Sequence, residues 1–150
     1  MLSGKLIHLI ELHHKELTER IIREIWRQAD LAYLQRLTEA ELRERCHVLL
    51  ENFGFWLSHG NVDELASQQQ AVGALRCQQG VPLPETMRAL CVMKYNLIDF
   101  IEEQGIPKDP VSLYAEEELE HRVGRFFDIL ITETARGYEA AWQRAAHAVA

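Results

Sequence analysis

The chain has no stretch that approaches about 18 consecutive apolar residues, so no helix in it is expected to span a membrane. Its opening Met1-Leu2-Ser3-Gly4-Lys5 leads into a segment already broken by Glu11, His13 and His14, which is no signal peptide. Clustered positive charge is missing too. The 16 Lys and Arg are interleaved with 23 Asp and Glu, leaving a net charge of -7, which argues against nucleic acid as a partner. Cysteine is scarce and unpatterned: Cys46, Cys77 and Cys91 form no CxxC and no even framework, as reduced, mostly buried thiols do. A cytoplasmic location follows from these readings. No phosphate-cradling glycine loop is present, because Gly54 and Gly73 stand alone inside helical patterns, where they are expected to permit close helix packing. Ser3, Ser58, Ser67 and Ser112 lack any nucleophile context. No window alternates polar and apolar residues with β-branched enrichment, so a sheet is not expected. Without repeats or low-complexity runs, residues 1–150 read as one helical, non-enzymatic domain.

What is present is helical periodicity. Leu6, Ile10, Leu17, Ile21 and Ile25 recur at three- and four-residue spacing and predict a first helix from about Gly4 to Gln28. Ala29 to Arg36 reads as a link with Tyr33 and Leu34 available to pack. Thr38-Glu39-Ala40-Glu41 has the form of a capping box, with Thr38 accepting from the third amide and Glu41 reaching back to the cap. The second helix then runs to about Ser58, and His59-Gly60-Asn61 ends it. A third spans about Val62 to Gln79, with Leu65, Val72 and Leu75 expected on its inner face. A fourth carries Met87, Leu90, Cys91, Tyr95, Leu97, Ile98 and Ile101 and stops at Gly105. Asp109-Pro110 marks the next start, and the last helix is expected from Val111 almost to Ala150. The expected fold is an all-α bundle of about five or six helices with a long C-terminal helix. A globin-like arrangement and a simpler up-down bundle both stay open.

The most informative stretch is Gln78-Gln79-Gly80-Val81-Pro82-Leu83-Pro84-Glu85-Thr86, where a glycine closes one helix and a proline-fixed corner opens the next. With Arg76, Arg88-Ala89-Leu90, Leu37-Thr38-Glu39-Ala40-Glu41-Leu42, Phe126-Phe127-Asp128 and Gly137-Tyr138-Glu139, it resembles the N-terminal sensor domain of RsbR-type stressosome proteins, in particular the RsbRD class. The resemblance implies a cytoplasmic helical input module that is often dimeric. Such a module commonly precedes a STAS, PAS or histidine-kinase output segment, acting in cis or in trans. It also implies kinship with a group in which some members look like globins that have lost haem. The chain shows no output domain, and its alanine-rich end carries no helix stop signal, which favours continuation into a further segment.

The functional expectation is a sensory domain that signals through helix packing or dimer rearrangement. Phe126, Phe127, Leu130, Tyr138 and Trp142 lie on a wide stripe of the last helix, which reads either as a long core helix or as a dimer helix that carries a signal outward. A ligand would enter a small apolar pocket between helices, expected near Trp56, Cys91 and Tyr95. The alternative is a metal- or haem-binding bundle. Glu11-x-x-His14, Glu44-x-x-His47 and Glu118-x-x-His121 each place a carboxylate and an imidazole on one helix face, as di-iron bundles do. Abundant glutamate supplies such spacings by composition, and the helix from Leu83 to Gln104 holds no histidine for haem. No cofactor and no metal are therefore expected, and Trp26, Trp56 and Trp142 read as core or interface anchors.

Overall fold

A computed structural model describes residues 2–57, 62–105 and 107–149 of the chain. Among them are seven α-helices and no strand: α1 (Leu2–Leu12), α2 (His14–Arg27), α3 (Glu39–Leu50), α4 (Phe53–Leu57), α5 (Val62–Gln78), α6 (Leu83–Glu102) and α7 (Pro110–Val149). A 3₁₀ turn, Leu34–Arg36, lies in the link between α2 and α3. The fold is all-α with a long C-terminal helix, as the periodicity predicts. No helix among the described residues is long and apolar enough to cross a membrane.

Two expected helices are each divided. The first bends at His13, where α1 gives way to α2 while the amides of His13 and Leu17 still reach the carbonyls of Leu9 and His13. His14 Nδ1 lies 2.8 Å from the Glu11 carbonyl, and Thr18 Oγ1 donates to the His14 carbonyl at 2.7 Å. Side chains that enter the backbone ladder in this way bend a helix without ending it. The second divides at Glu51–Asn52. Here the Trp56 indole donates to the Val48 carbonyl (3.0 Å) and Glu11 accepts the Gly54 amide (3.2 Å), so the short α4 turns inward and buries Phe53 and Trp56. The expected ending at His59-Gly60-Asn61 lies outside the described residues.

The boundary signals perform largely as read. Thr38 Oγ1 accepts from the Glu41 amide at 3.2 Å, and Asp109 Oδ1 accepts from Ser112 at 2.9 Å in front of Pro110. Glu41, however, does not reach back to the cap; its carboxylate is held by Arg76 and Gln79. At the corner, Gly80 has φ +73, the Gly80 amide reaches the Cys77 carbonyl and the Val81 amide reaches that of Arg76. That pair of bonds is a Schellman ending, and it requires the left-handed residue that glycine supplies. Val81 is buried behind it, and its carbonyl accepts from Tyr138 OH at 2.6 Å, which ties the corner to α7.

The core is continuous. Ile10, Leu17, Ile21, Phe53, Leu97 and Phe127 are fully buried, each contributing about 1.5–3 kcal/mol of transfer free energy. Phe53, Phe126 and Phe127 stack edge to face at 5.4 Å. The tightest approach is between α5 and α7. A Cβ on Gly73 would run into the Thr134 carbonyl and lie 2.8 Å from the Tyr138 nitrogen, and one on Gly137 would strike the Gln70 backbone. Gly73 thus permits the close packing expected of it, with Gly137 as its unforeseen counterpart.

The inner faces of two helices depart from expectation. In α5 the buried positions are Leu65, Gln69, Gly73 and Arg76, while Val72 and Leu75 are half-buried. In α6 they include Glu85, Thr86, Val92, Met93, Leu97, Phe100 and Ile101, while Met87, Leu90, Cys91 and Ile98 are half-buried. Polar residues turn inward because they have partners there. Glu85 accepts the amides of Tyr33 and Leu34 at 3.0 and 3.2 Å and so anchors the α2–α3 link on α6. Glu103, just past the end of α6, is exposed and clasped by Arg20 through two bonds of 2.8 and 2.9 Å.

Candidate functional site

The inward-facing polar residues of α5 border a cavity of about 70 Å³. It lies between α2, α3, α5, α6 and α7. Its apolar wall includes Ile25, Leu34, Leu42, Leu49, Leu90 and Met93, and its polar side is formed by Gln68, Gln69, Arg76, Thr86 and Thr134, with Arg45 also on the lining. Helical spacing explains the polar side: Gln69, Gly73 and Arg76 follow one another at four and three residues, so the face that lets α7 approach at Gly73 also turns Gln69 and Arg76 inward.

Each buried polar group has an anchor. Thr134 Oγ1 donates to Gln69 Oε1 at 3.1 Å, and Thr86 Oγ1 donates to the Pro82 carbonyl at 3.3 Å. Arg76 Nη1 donates to Glu41 and, at 2.8 Å, to Gln79. Burial pushes the Glu41 carboxyl up, but the hydrogen bond and charge of Arg76 outweigh it and hold the group below the usual carboxylate range. Cys46, also on the lining, is buried, and that burial pushes its thiol up to about 12. It is therefore a protonated core thiol with no thiolate character at neutral pH.

The residues expected around a ligand do not meet at this cavity. Trp56 is buried but lines a separate depression between α4, α5 and α7. Cys91 is half-buried and Tyr95 is 56 % exposed, because α6 is rotated to bury Val92 and Met93 instead. Of the five residues on the expected dimer stripe, Phe126, Phe127, Leu130 and Tyr138 are buried within this chain, and only Trp142, 64 % exposed, faces outward. Every described residue after Ala141 is exposed, so Trp142 to Val149 continue as helix beyond the packed bundle. The cavity residues on α5 escaped sequence reading because Gln69 and Arg76 look like solvent-facing residues. The detectable signal was Gly73 between them, which marks the buried side of the helix.

The comparisons with known proteins bear on this arrangement. Residues 15–150 match the family described as the RsbT co-antagonist protein rsbRD N-terminal domain. The chain belongs to this family. The RsbRD_N match covers all but the first helix and the His13–His14 bend, in agreement with the resemblance carried by the Gly80 corner. No curated protein matches it. Among solved structures, two crystal forms of the globin domain of E. coli DosC, ferrous and ferric, share the fold of this RsbRD_N chain. Each has a TM-score of 0.71 and 16% sequence identity over 90% of this chain and 88% of that one. The bundle is therefore globin-like, which decides between the two arrangements that the sequence left open.

A globin fold raises the question of haem, and the residues present do not fit it. An axial ligand must point into an apolar pocket of haem size. This cavity of about 70 Å³ has no histidine on its lining, and its one cysteine is protonated. His59 lies outside the described residues. The Glu-x-x-His motifs fare no better as a metal site. His14 and His47 meet edge to face at 5.2 Å, yet Glu11 is engaged by the Gly54 amide and Glu44 and His121 face solvent. Among the described residues no group of three or more His, Cys, Asp or Glu is placed to hold a metal ion. His13 and His14 are both half-buried and paired, with Glu16 and the Glu11 carbonyl respectively.

Proposed function

We propose that this RsbRD_N chain is a non-enzymatic sensory input domain. A small ligand occupies the cavity between α3, α5, α6 and α7, and α7 relays the change in packing. The observation that carries this reading is the span of α7. Thr134 lies on the cavity lining, and eight residues later, about 12 Å along the axis, Trp142 begins the exposed extension. The same helix crosses α5 at Gly73 and Gly137 with no spare room, so a shift of the cavity wall displaces α7 as a body. Trp142 to Val149 then offer an apolar and alanine-rich surface to a partner: a second copy of the chain, or an output module of STAS, PAS or histidine-kinase type in cis or in trans. Family membership supports the regulatory role, and the absence of charge clustering supports a protein partner over nucleic acid. A cytoplasmic location goes with that role.

Filling the cavity by mutation tests the relay whatever the ligand is. Ala89 lines the cavity from α6 and is half-buried. In Ala89→Leu the amide hydrogen exchange of residues 134–149 should change by threefold or more relative to the parent chain. Changes confined to α3, α5 and α6 would show that the cavity does not communicate with α7.

A further inference from the structure

The sensory reading leaves the chemistry of the ligand unassigned, and the cavity lining restricts it. Gln69 and Arg76 are 5 % and 4 % exposed. Gln69 accepts from Thr134 through Oε1, while its amide nitrogen meets no acceptor among the described residues. Arg76 makes its hydrogen bonds through Nη1 alone, which leaves Nε and Nη2 without acceptors there. None of these nitrogens is sealed off; among the described residues that condition belongs to His47 Nδ1. Both side chains line the cavity.

Thr86 and Thr134 donate to Pro82 and Gln69 and keep acceptor lone pairs of their own, so charge rather than a count of donors points to the occupant. In a chain with 23 acidic and 16 basic residues, the cavity lining holds two arginines, Arg45 and Arg76, and no carboxylate. An occupant with anionic acceptor oxygens matches that charge and the open N–H groups of Gln69 and Arg76. The rest of the wall is aliphatic and calls for a hydrocarbon end.

We propose that the cavity binds a short-chain aliphatic carboxylate, its oxygens accepting from Gln69 and Arg76 and its hydrocarbon end lying against Ile25, Leu42, Leu90 and Met93. The proposal rests on the reading of this cavity as the sensory site. A volume of about 70 Å³ admits an occupant of several heavy atoms, since a cavity needs roughly 10–15 Å³ to hold one water. The Glu41 ion pair does not preclude a second carboxylate on Arg76. Arg43 in the same molecule holds both Glu19 (2.7 Å) and Glu39 (2.9 Å). Arg45, exposed on α3, adds positive charge beside the site.

Isothermal titration with butyrate and with the neutral probe 1-butanol tests the assignment. Butyrate should bind saturably at one site, with 1-butanol at least tenfold weaker. Gln69→Glu, which places negative charge in the cavity while keeping an acceptor for Thr134, should weaken butyrate at least tenfold and leave 1-butanol unchanged. Gln69 is the better position to vary, because Arg76 also secures α3 to α5 through Glu41. Equal or tighter binding of 1-butanol would overturn the carboxylate assignment while leaving the cavity a sensory site for neutral amphiphiles. Butyrate binding indifferent to Gln69→Glu would place the anion elsewhere and overturn it as well. Binding of neither probe would count against both the ligand class and the sensory reading of the cavity.

Discussion

At the scale of single residues, polar side chains organise the interior of this bundle. Glu85 secures the α2–α3 link by accepting two backbone amides, and Glu41 joins α3 to α5 through Arg76. Neither role was legible in the sequence. Glu41 sat where a capping box predicted a local bond, and the local reading holds for the Thr38 hydroxyl alone. A carboxylate at the third helical position has two competing partners, its own cap amide and any cation from a neighbouring helix. A buried guanidinium wins because leaving it unpaired costs more than an exposed cap amide that water can satisfy. The pairing has a pH signature. Arg76 holds the folded-state pKa of Glu41 below its unfolded value of about 4.3. Its contribution is therefore fully present above that value and lost as pH falls through the lower folded pKa. Glu41→Gln should destabilise the chain by about 2–3 kcal/mol at pH 7. The difference should shrink toward zero as pH drops below about 4, measured by urea unfolding across the range. A gap that persisted unchanged at low pH would mean that the carboxylate charge is not the cause.

At the scale of elements, helix existence was legible and helix direction was not. The starts of α3, α6 and α7 and the Gly80 corner follow from Thr38, Pro82-Leu83-Pro84, Asp109-Pro110 and a left-handed glycine. Periodicity cannot see the bends at His13 and Glu51, because apolar spacing continues through a kink. It also misplaced the inner face of α5, whose buried positions include Gln69, Gly73 and Arg76. The α5–α7 crossing sets that rotation, since it needs glycine on both sides. Gly73→Ala should cost about 3 kcal/mol or more, because the added methyl meets backbone rather than a movable side chain. Gly124→Ala, also in α7 but with nothing near its added methyl, should instead stabilise by about 0.5–1 kcal/mol through helix propensity. Thermal unfolding of the two variants checks the contrast. Equal effects of the same sign would contradict the crossing geometry.

At the scale of the whole molecule, a globin-like bundle encloses a small amphipathic cavity, and the helix on one wall runs on past the bundle. The sequence disclosed the family and the long helix. It could not disclose the cavity, which forms where five helices meet, nor that four of the five stripe residues on α7 are occupied with this chain's own core. Of that stripe Trp142 alone faces outward, and the proposed relay therefore ends at the surface that begins there. The central claim is that occupancy of the cavity is felt along α7 as far as that surface. Xenon tests it most directly, since it enters small apolar cavities whatever their natural ligand. Amide chemical shifts recorded under increasing xenon pressure should change saturably at Val72, Leu90, Met93 and Thr134, and the same curve should appear in residues 142–149. Saturable shifts that stop at Thr134, with residues 142–149 unmoved, would contradict the account.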